Sequence, residues 1–383
     1  MSFLSRRLYR AFSTSTAATA QATGNLESVF KDIYRERNLK RLVQKFKKSS
    51  ELDRFRTKTG IYEETVRRLA SAKRFRWIEE ILEEQKKYKD ISREGFAVRL
   101  ISLYGKSGMF DHAFKVFDEM PDQKCERSVL SFNALLGACV HSKKFDKVEG
   151  FFSELPSKLS VEPDLVSYNI VIKGLCDMGS MDSAVGMLDE MEKKSLEPDL
   201  ITFNTLLNGC YTSGRFLDGE KIWGRMEKKN ILPDIRSYNA KLVGLVSSEK
   251  RMLEGIGLVE EMQTKGIKPD GYSFNALIKG FCNDGKVDEA TNWYGKMREN
   301  DCSPDKLTFA TLVPLYCEKG SFDQAFELCK EIFNRKCLVD EVLLQNAVDG
   351  LVKGGKVVEA KKLVQLGNSN SYRRYNLKIP TDK

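Results

Sequence analysis

A proline followed by aspartate recurs along this chain at an almost constant spacing. The prolines lie 35, 35, 36 and 35 residues apart and are Pro163, Pro198, Pro233, Pro269 and Pro304. A period near 35 residues indicates an array of similar supersecondary repeats rather than one globular core. If each repeat ends at the aspartate, the clearest repeats are 129–164, 165–199, 200–234, 235–270, 271–305 and 306–340.

Each repeat contains two stretches with helical periodicity. In 165–199, apolar residues such as Tyr168, Val171 and Leu175 lie three and four residues apart and predict a first helix. Gly179 marks a turn, and the same spacing resumes from Ala184. We therefore predict an all-α fold, a right-handed superhelical solenoid of helix–turn–helix repeats of about 35 residues.

Recurring polar residues predict where these helices begin and end. Ser or Thr at the third place of a repeat is expected to be the N-cap of the first helix. Asp at the eighteenth place suits the start of the second helix, which the proline is expected to end. The third-place residues are Ser131, Ser167, Thr202, Ser237, Ser273 and Thr308.

The composition argues against a membrane protein or a metalloenzyme. The chain is 41% hydrophobic and contains no apolar run near the length that spans a bilayer. Its nine cysteines form no Cys-x-x-Cys pair, and only two histidines are present. "GFCNDGKV" at 280–287 lacks the Ser or Thr of a phosphate-binding loop. No metal, cofactor, small-molecule substrate or catalytic activity is expected.

The formal charge of +9 is concentrated near the start of the chain. Residues 31–93 hold 20 Lys or Arg against 11 Asp or Glu. This region predicts either contacts with RNA phosphates or simply the charged outer face of capping helices. The candidate phosphate-binding residues are Lys40, Arg41, Lys45, Lys47, Lys48, Arg67, Arg68, Lys73 and Arg74.

The first two dozen residues contain Arg, Ser, Thr and Ala and no acidic residue. This composition predicts a mitochondrial matrix presequence over 1–23, with cleavage near Phe12–Ser13. The alternative is an ordinary disordered terminus.

The repeat "VSYNIVIKGLCDMGSMDSAVGMLDEMEKKSLEPD" (166–199) closely resembles the P-type pentatricopeptide repeat. The resemblance covers about 94–360 and is most specific over 129–340. It implies a repeat array over 94–375, preceded by degenerate helical repeats or an N-terminal cap over 24–93. A polar tail, 376–383, follows.

The resemblance also implies that the array binds single-stranded RNA with about one base per repeat. The residues at the fifth and last places would contact a base edge, and those at the second place would lie between bases. The implied base-contacting pairs are Asn133 with Asp164, Asn169 with Asp199, Asn204 with Asp234, Asn239 with Asp270, and Asn275 with Asp305. The implied wedges are Leu130, Val166, Ile201 and Leu307. A purely structural role for each Asn and Asp is the alternative.

Several places depart from the family pattern. Val98 with Ser128, and Ala310 with Asp340, replace the Asn and Asp pair, and repeat 341–375 has Gln345 at its fifth place. Arg236 and Tyr272 occupy second places where an aliphatic side chain is usual. Both terminal regions of the array are therefore expected to contact bases weakly.

Three functions remain open at this point. The first is a non-catalytic adaptor or structural component of the mitochondrial ribosome's small subunit, with ribosomal RNA and ribosomal proteins as partners. The second is a transcript-specific processing or stability factor, and the third is a protein scaffold that binds no RNA. In the family, Asn at the fifth place with Asp at the last place is associated with a preference for uridine over cytidine. Five identical pairs therefore imply a short run of uridines as the target.

Overall fold

The structure is a computed structural model that describes residues 26–247 and 251–380. Within these ranges the chain forms helices and no β-strand, which confirms the all-α prediction. The predicted presequence lies outside the described residues. The chain divides into two compact halves, an N-terminal half, Met1–Glu197, and a C-terminal half, Pro198–Lys383.

The N-terminal half contains eleven α-helices among its described residues. They are α1 (26–35), α2 (Leu39–Ser50), α3 (Asp53–Arg56), α4 (Thr59–Ser71), α5 (Phe75–Glu83), α6 (Glu94–Lys106), α7 (Phe110–Asp118), α8 (Val129–His141), α9 (Phe145–Leu159), α10 (Leu165–Met178) and α11 (Met181–Lys193). The first helices of successive repeats, α6, α8 and α10, pack side by side. The second helices α7 and α9 each pack against their own first helix and the next one.

The C-terminal half repeats this arrangement. Its helices are α12 (Leu200–Thr212), α13 (Phe216–Lys228), α14 (Ile235–Val246), α15 (Met252–Thr264), α16 (Gly271–Asn283), α17 (Val287–Glu299), α18 (Lys306–Glu318), α19 (Phe322–Asn334), α20 (Glu341–Lys353) and α21 (Val357–Ser369). The first helices α12, α14, α16, α18 and α20 form one layer, and each packs on its neighbour. No described helix of the chain is both long enough and apolar enough to cross a membrane.

A buried aromatic residue at the fourth place fixes the orientation of each first helix. These aromatics are almost fully buried and are Phe132, Tyr168, Phe203, Tyr238, Phe274 and Phe309. Because successive residues of an α-helix are about 100° apart, anchoring the fourth place directs the second place towards solvent. The aromatic that recurs beside each Asn therefore positions the candidate site.

The last-place aspartate is the N-cap of the following first helix. Asp234 Oδ1 accepts hydrogen bonds from the backbone N–H groups of Arg236 and Ser237, both at 3.0 Å. The Ser237 hydroxyl in turn accepts the N–H of Asp234 at 3.1 Å. This reciprocal arrangement is a capping box, and the same box is formed by Asp164, Asp199, Asp270 and Asp305.

The predicted N-caps were therefore wrong by three residues. In every repeat from 129–164 to 306–340, the third-place Ser or Thr is the third residue inside the first helix, and its hydroxyl completes the capping box. The carboxylate takes the cap position because it can accept free N–H groups of the first turn and also favours the positive end of the helix dipole.

The second helices also end differently from the prediction. Helix α13 ends at Lys228, five residues before Pro233. Asn230 follows in the left-handed conformation with φ of 57°, and the N–H of Ile231 donates to the Met226 carbonyl at 3.1 Å. These bonds already close the helix. The proline therefore does not end it, although proline's fixed φ suits the extended approach to the next cap.

Candidate nucleic-acid interface

Four of the predicted Asn and Asp pairs lie within one half of the chain, and in each the two side chains are hydrogen-bonded. The Asn Nδ2 donates to Asp Oδ1 of the next cap at 3.0 to 3.2 Å. These pairs are Asn133 with Asp164, Asn204 with Asp234, Asn239 with Asp270 and Asn275 with Asp305. The fifth pair, Asn169 and Asp199, is divided between the two halves.

The capping hydroxyl fixes the orientation of the Asn amide. The Ser167 hydroxyl lies 2.6 Å from Asn133 Oδ1, and the Ser237 hydroxyl lies 2.5 Å from Asn204 Oδ1. Since a hydroxyl can donate to the amide oxygen, the amide nitrogen is the group that faces the carboxylate. The third-place Ser or Thr thus positions the pair, a role that the sequence analysis missed.

Each pair retains hydrogen-bonding capacity after these internal bonds are formed. Every hydrogen bond to the carboxylates of the four aspartates uses Oδ1, and among the described residues none involves Oδ2. The Asn nitrogen carries two hydrogens, of which one is used. An acceptor and a donor therefore remain side by side at each junction.

The carboxylates at three of these junctions are held in the ionised form. Partial burial acts to raise the pKa of Asp164, Asp234 and Asp305, but hydrogen bonds from the paired Asn and from the first helical turn outweigh it. The net effect is a pKa below the ordinary value. These side chains are hydrogen-bond acceptors at neutral pH.

The second-place side chains are apolar and exposed, as a wedge between bases would require. Their exposed fractions are 49% for Leu130, 52% for Val166, 60% for Ile201 and 46% for Leu307. Tyr272 at the same place is also exposed. An exposed apolar or aromatic side chain recurs at this place in five of the six repeats from 129 to 340, with Arg236 as the exception, and this recurrence indicates a contact surface.

A groove in the C-terminal half shows how these places combine. It has a volume of about 260 Å³ and is lined by Tyr272, Asn275, Lys279 and Leu307, among others. One opening is therefore lined by two successive second-place side chains, by a lysine ammonium and by an Asn that has one unused N–H. A nucleotide can be bound by apolar contacts to the faces of its base, by a hydrogen bond to the base edge and by a cation near its phosphate.

The first junction of the array has a different cap. Ser128 replaces the aspartate, and Glu94 supplies the carboxylate from one repeat earlier. Its Oε1 accepts from the Ser128 N–H and hydroxyl, both at 2.8 Å, and from the Ser131 N–H at 3.1 Å. At the other end, Asp340 makes no capping bond and pairs with Lys306 at 2.9 Å.

Four of the nine candidate phosphate-binding residues already have partners within the protein. Lys45 pairs with Asp32 and Glu36 at 2.7 and 2.8 Å, and Lys47 pairs with Glu80 and Glu84, both at 2.9 Å. Arg67 pairs with Glu64 at 2.7 Å, and Arg68 bonds the carbonyls of Ile33 and Glu36.

The other five candidates are exposed and form no ion pair within the described part of the chain. They are Lys40, Arg41, Lys48, Lys73 and Arg74. No group of three or more His, Cys, Asp or Glu suited to a metal ion occurs among the described residues.

Comparison with known proteins identifies the repeat family. The profile described as the PPR repeat family matches residues 99–141, 127–177, 163–212 and 198–247, and the pentatricopeptide repeat domain matches 257–319. The chain belongs to the pentatricopeptide repeat family. A crystal structure of the pentatricopeptide repeat protein PPR10 from maize has the same fold, with a TM-score of 0.50, 18% identity, and coverage of 85% of this chain and 56% of that one.

Similar relatives of this pentatricopeptide repeat protein occur in Arabidopsis thaliana. One is the small ribosomal subunit protein mS79, 55% identical over 50% of this chain and 49% of its own. Another is the small ribosomal subunit protein mS78, 59% identical over 48% of this chain and 46% of its own. The chain thus aligns with about half the length of these curated relatives.

A third Arabidopsis relative is a pentatricopeptide repeat-containing protein whose name places it in the mitochondrion. It is 44% identical over 34% of this chain and 31% of its own. The mitochondrial location predicted from the sequence agrees with this name.

Proposed function

We propose that this pentatricopeptide repeat protein is a non-catalytic, RNA-binding component of the small subunit of the mitochondrial ribosome. The observation that carries the proposal is the repeated junction in which a fixed Asn and Asp pair keeps one donor and one acceptor unused, next to exposed second-place side chains that are mostly apolar. The names of its relatives mS79 and mS78 support the ribosomal part.

The open groups at each junction complement the edge of uracil. The N3–H of uracil can donate to Asp Oδ2, while a uracil carbonyl can accept the remaining N–H of Asn. Cytosine presents an acceptor rather than a donor at N3, so a carboxylate that faces N3 favours uracil over cytosine. Asp164, Asp234 and Asp305, whose pKa values lie below the ordinary value, are ionised at neutral pH and can accept the N3–H of uracil.

Repetition of one pair favours an adaptor over a transcript-specific factor. Three consecutive pairs in the C-terminal half are chemically identical and together favour a short uridine run: Asn204 with Asp234, Asn239 with Asp270 and Asn275 with Asp305. Such a run occurs often in any A/U-rich RNA and specifies no single transcript. A protein whose position is set by neighbouring ribosomal proteins and RNA phosphates does not need to recognise a longer RNA sequence.

Exposed cations in the N-terminal half would supply phosphate contacts without base preference. We assign this role to Lys40, Arg41, Lys48, Lys73 and Arg74, because internal ion pairs do not occupy them. Lys45, Lys47, Arg67 and Arg68 would contribute less, since each must first leave its internal partner.

Sedimentation of mitochondrial extracts tests the proposal. On a sucrose gradient, the full chain should migrate with the small ribosomal subunit and lose that position after ribonuclease treatment. A small ribonuclease-sensitive particle would favour the transcript-specific factor instead. A complex of unchanged size after ribonuclease would favour a protein scaffold.

Selection of bound RNAs from a random pool separates the first two functions independently. A short, uridine-rich preference of low affinity supports the adaptor. A long, mixed consensus bound with high affinity would contradict it, because identical junctions cannot select a mixed sequence.

A further inference from the structure

The segment after the last helix folds back onto the last repeat of the array. Tyr375 and Leu377 are only 1% and 2% exposed, and the Tyr375 ring lies 5.9 Å from that of Phe333 in an edge contact. A Cβ on Gly367 would lie 2.5 Å from Leu377 Cδ1, so a larger residue at this place would displace the Leu377 side chain where the segment packs on α21. Two large apolar side chains thus anchor a stretch with a polar sequence.

Hydrogen bonds fix the register of this segment. The side chain of Asn368 both accepts from the Leu377 N–H at 3.1 Å and donates to the Leu377 carbonyl at 3.3 Å. The Tyr375 N–H donates to the Gly367 carbonyl at 3.0 Å, and the Asn376 N–H donates to Glu341 at 3.1 Å. Lys378 is consequently held at a defined position.

That position lies against Gln345, the fifth-place residue of repeat 341–375. Gln345 Oε1 accepts the Lys378 N–H at 3.0 Å, and Gln345 Nε2 donates to the Lys378 carbonyl at 2.8 Å. The same Nε2 donates to Asp349 at 2.8 Å, so both of its hydrogens are used. The asparagines at the equivalent place, such as Asn275, donate one hydrogen to the next cap and keep the other.

We infer that the C-terminal segment 372–378 takes the place of a nucleotide at the last repeat and so limits the length of RNA that the array contacts. The inference rests on the proposed function. The backbone amide of Lys378 presents one donor and one acceptor to Gln345, as a base edge would. Because the segment also buries Tyr375 and Leu377, it offers more contact than a single base and remains in place when RNA binds.

The tail also explains why Gln345 replaces Asn at this place. The longer amide reaches a peptide group that is held by α21 rather than by a helix cap. Asp349, one turn further along α20, accepts the second hydrogen and leaves none for a ligand.

Photo-cross-linking tests the inference in the full chain. A ten-nucleotide oligouridine carrying 4-thiouridine at each position in turn should cross-link to repeats between 129 and 340. It should not cross-link to Gln345 or to Val342, the exposed second-place residue of repeat 341–375. Amide hydrogen exchange of Leu377 and Lys378 should stay slow both without and with saturating oligouridine.

Two variants should open the last repeat. Lys378→Pro removes the N–H that Gln345 accepts, and Gly367→Val displaces Leu377 by direct overlap. In both, cross-links at Val342 or Gln345 should appear, and the shortest oligouridine that reaches full affinity should lengthen by about one nucleotide. Lys378→Ala, which keeps the peptide N–H, is the matched control and should behave as the unaltered chain.

Two outcomes are distinguishable. Cross-links to Gln345 in the unaltered chain, or loss of amide protection when RNA binds, would overturn the inference and leave the proposed function standing. Failure of the unaltered chain to bind any RNA, oligouridine included, would instead refute the proposed function itself.

Discussion

The side-chain amide of Asn204 and the carboxylate of Asp234 are joined by a hydrogen bond of 3.0 Å across 30 residues of sequence. Asp234 is at the same time the N-cap of α14, so one carboxylate both starts a helix and completes a candidate base-contacting pair. Stability and recognition therefore depend on the same atoms. Substitutions must be chosen to separate these two effects.

Replacement of Asp234 by Asn should change base preference with little loss of stability. Asn is as good an N-cap as Asp, so the free energy of unfolding should change by less than about 0.5 kcal/mol, whereas Asp234→Ala should cost about 1–2 kcal/mol. The new amide donor at the Oδ2 position should weaken the preference for uridine over cytidine. Urea denaturation and binding to oligouridine and oligocytidine measure the two effects.

A matched control exists one repeat beyond the pairs. Asp340 is also a last-place aspartate, but it makes no capping bond and has Ala310 in place of the Asn. Asp340→Asn should leave base preference unchanged. An equal effect of both substitutions would show that charge alone, and not the pair, sets the preference.

The caps also predict loss of stability in acid. Glu94, Asp164, Asp234 and Asp305 have lowered pKa values in the folded chain, in each case because hydrogen bonds outweigh the opposing effect of burial. The unfolded chain therefore binds more protons, and the stabilisation is complete above the ordinary carboxyl pKa of about 4. It is lost as pH falls through the folded pKa values.

Thermal unfolding between neutral pH and about pH 3 measures this dependence. Asp234→Asn removes one of the titrating caps, so its melting temperature should fall less steeply over the acid range than that of the unaltered chain. A parallel decline of the two chains would mean that other carboxylates govern acid unfolding.

The sequence predicted the repeat period and the paired helices, but it misplaced the helix ends. Asp234 and Ser237 are both good caps, and only the backbone geometry shows which one precedes the first turn. The left-handed residue after α13 is Asn230, and equivalent places carry Lys, Ser, Asp and only once a glycine, Gly266, so glycine does not mark them consistently. The burial of Leu377 was not predicted, because the helical spacing of apolar residues ends before this position.

One turn carries strain that a glycine should relieve. Lys143 has a φ of 56°, at a place where Gly179 occurs with φ of 86° in the next repeat. Lys143→Gly should raise the free energy of unfolding by about 0.5–1 kcal/mol, because relief of the left-handed conformation exceeds the extra chain entropy of unfolded glycine. Urea denaturation measures the change. Lys144→Gly, where φ is −91°, should give no stabilisation.

Exposed cations of the N-terminal half should account for salt-sensitive RNA binding. Replacing Lys40, Arg41 and Lys48 together by Gln should lower the log–log salt slope for oligouridine by about 2, since each single-strand phosphate contact contributes about 0.7. Lys45→Gln with Lys47→Gln should lower it less, because both lysines are already ion-paired. An unchanged slope in the triple variant would assign these cations to a charged outer face.

The exposed second-place side chains allow RNA contact to be tested apart from stability. Ile201 and Leu217 are each the second residue of a helix, in α12 and α13, and are 60% and 77% exposed. Truncation of either to Ala should change the free energy of unfolding by less than about 0.5 kcal/mol, since little buried surface is lost. Only Ile201 occupies a place between bases, so Ile201→Ala alone should weaken oligouridine binding, by roughly fivefold for the loss of about 1 kcal/mol of base contact. Fluorescence anisotropy with labelled oligouridine compares the two, and equal affinities would remove the second place from the RNA interface.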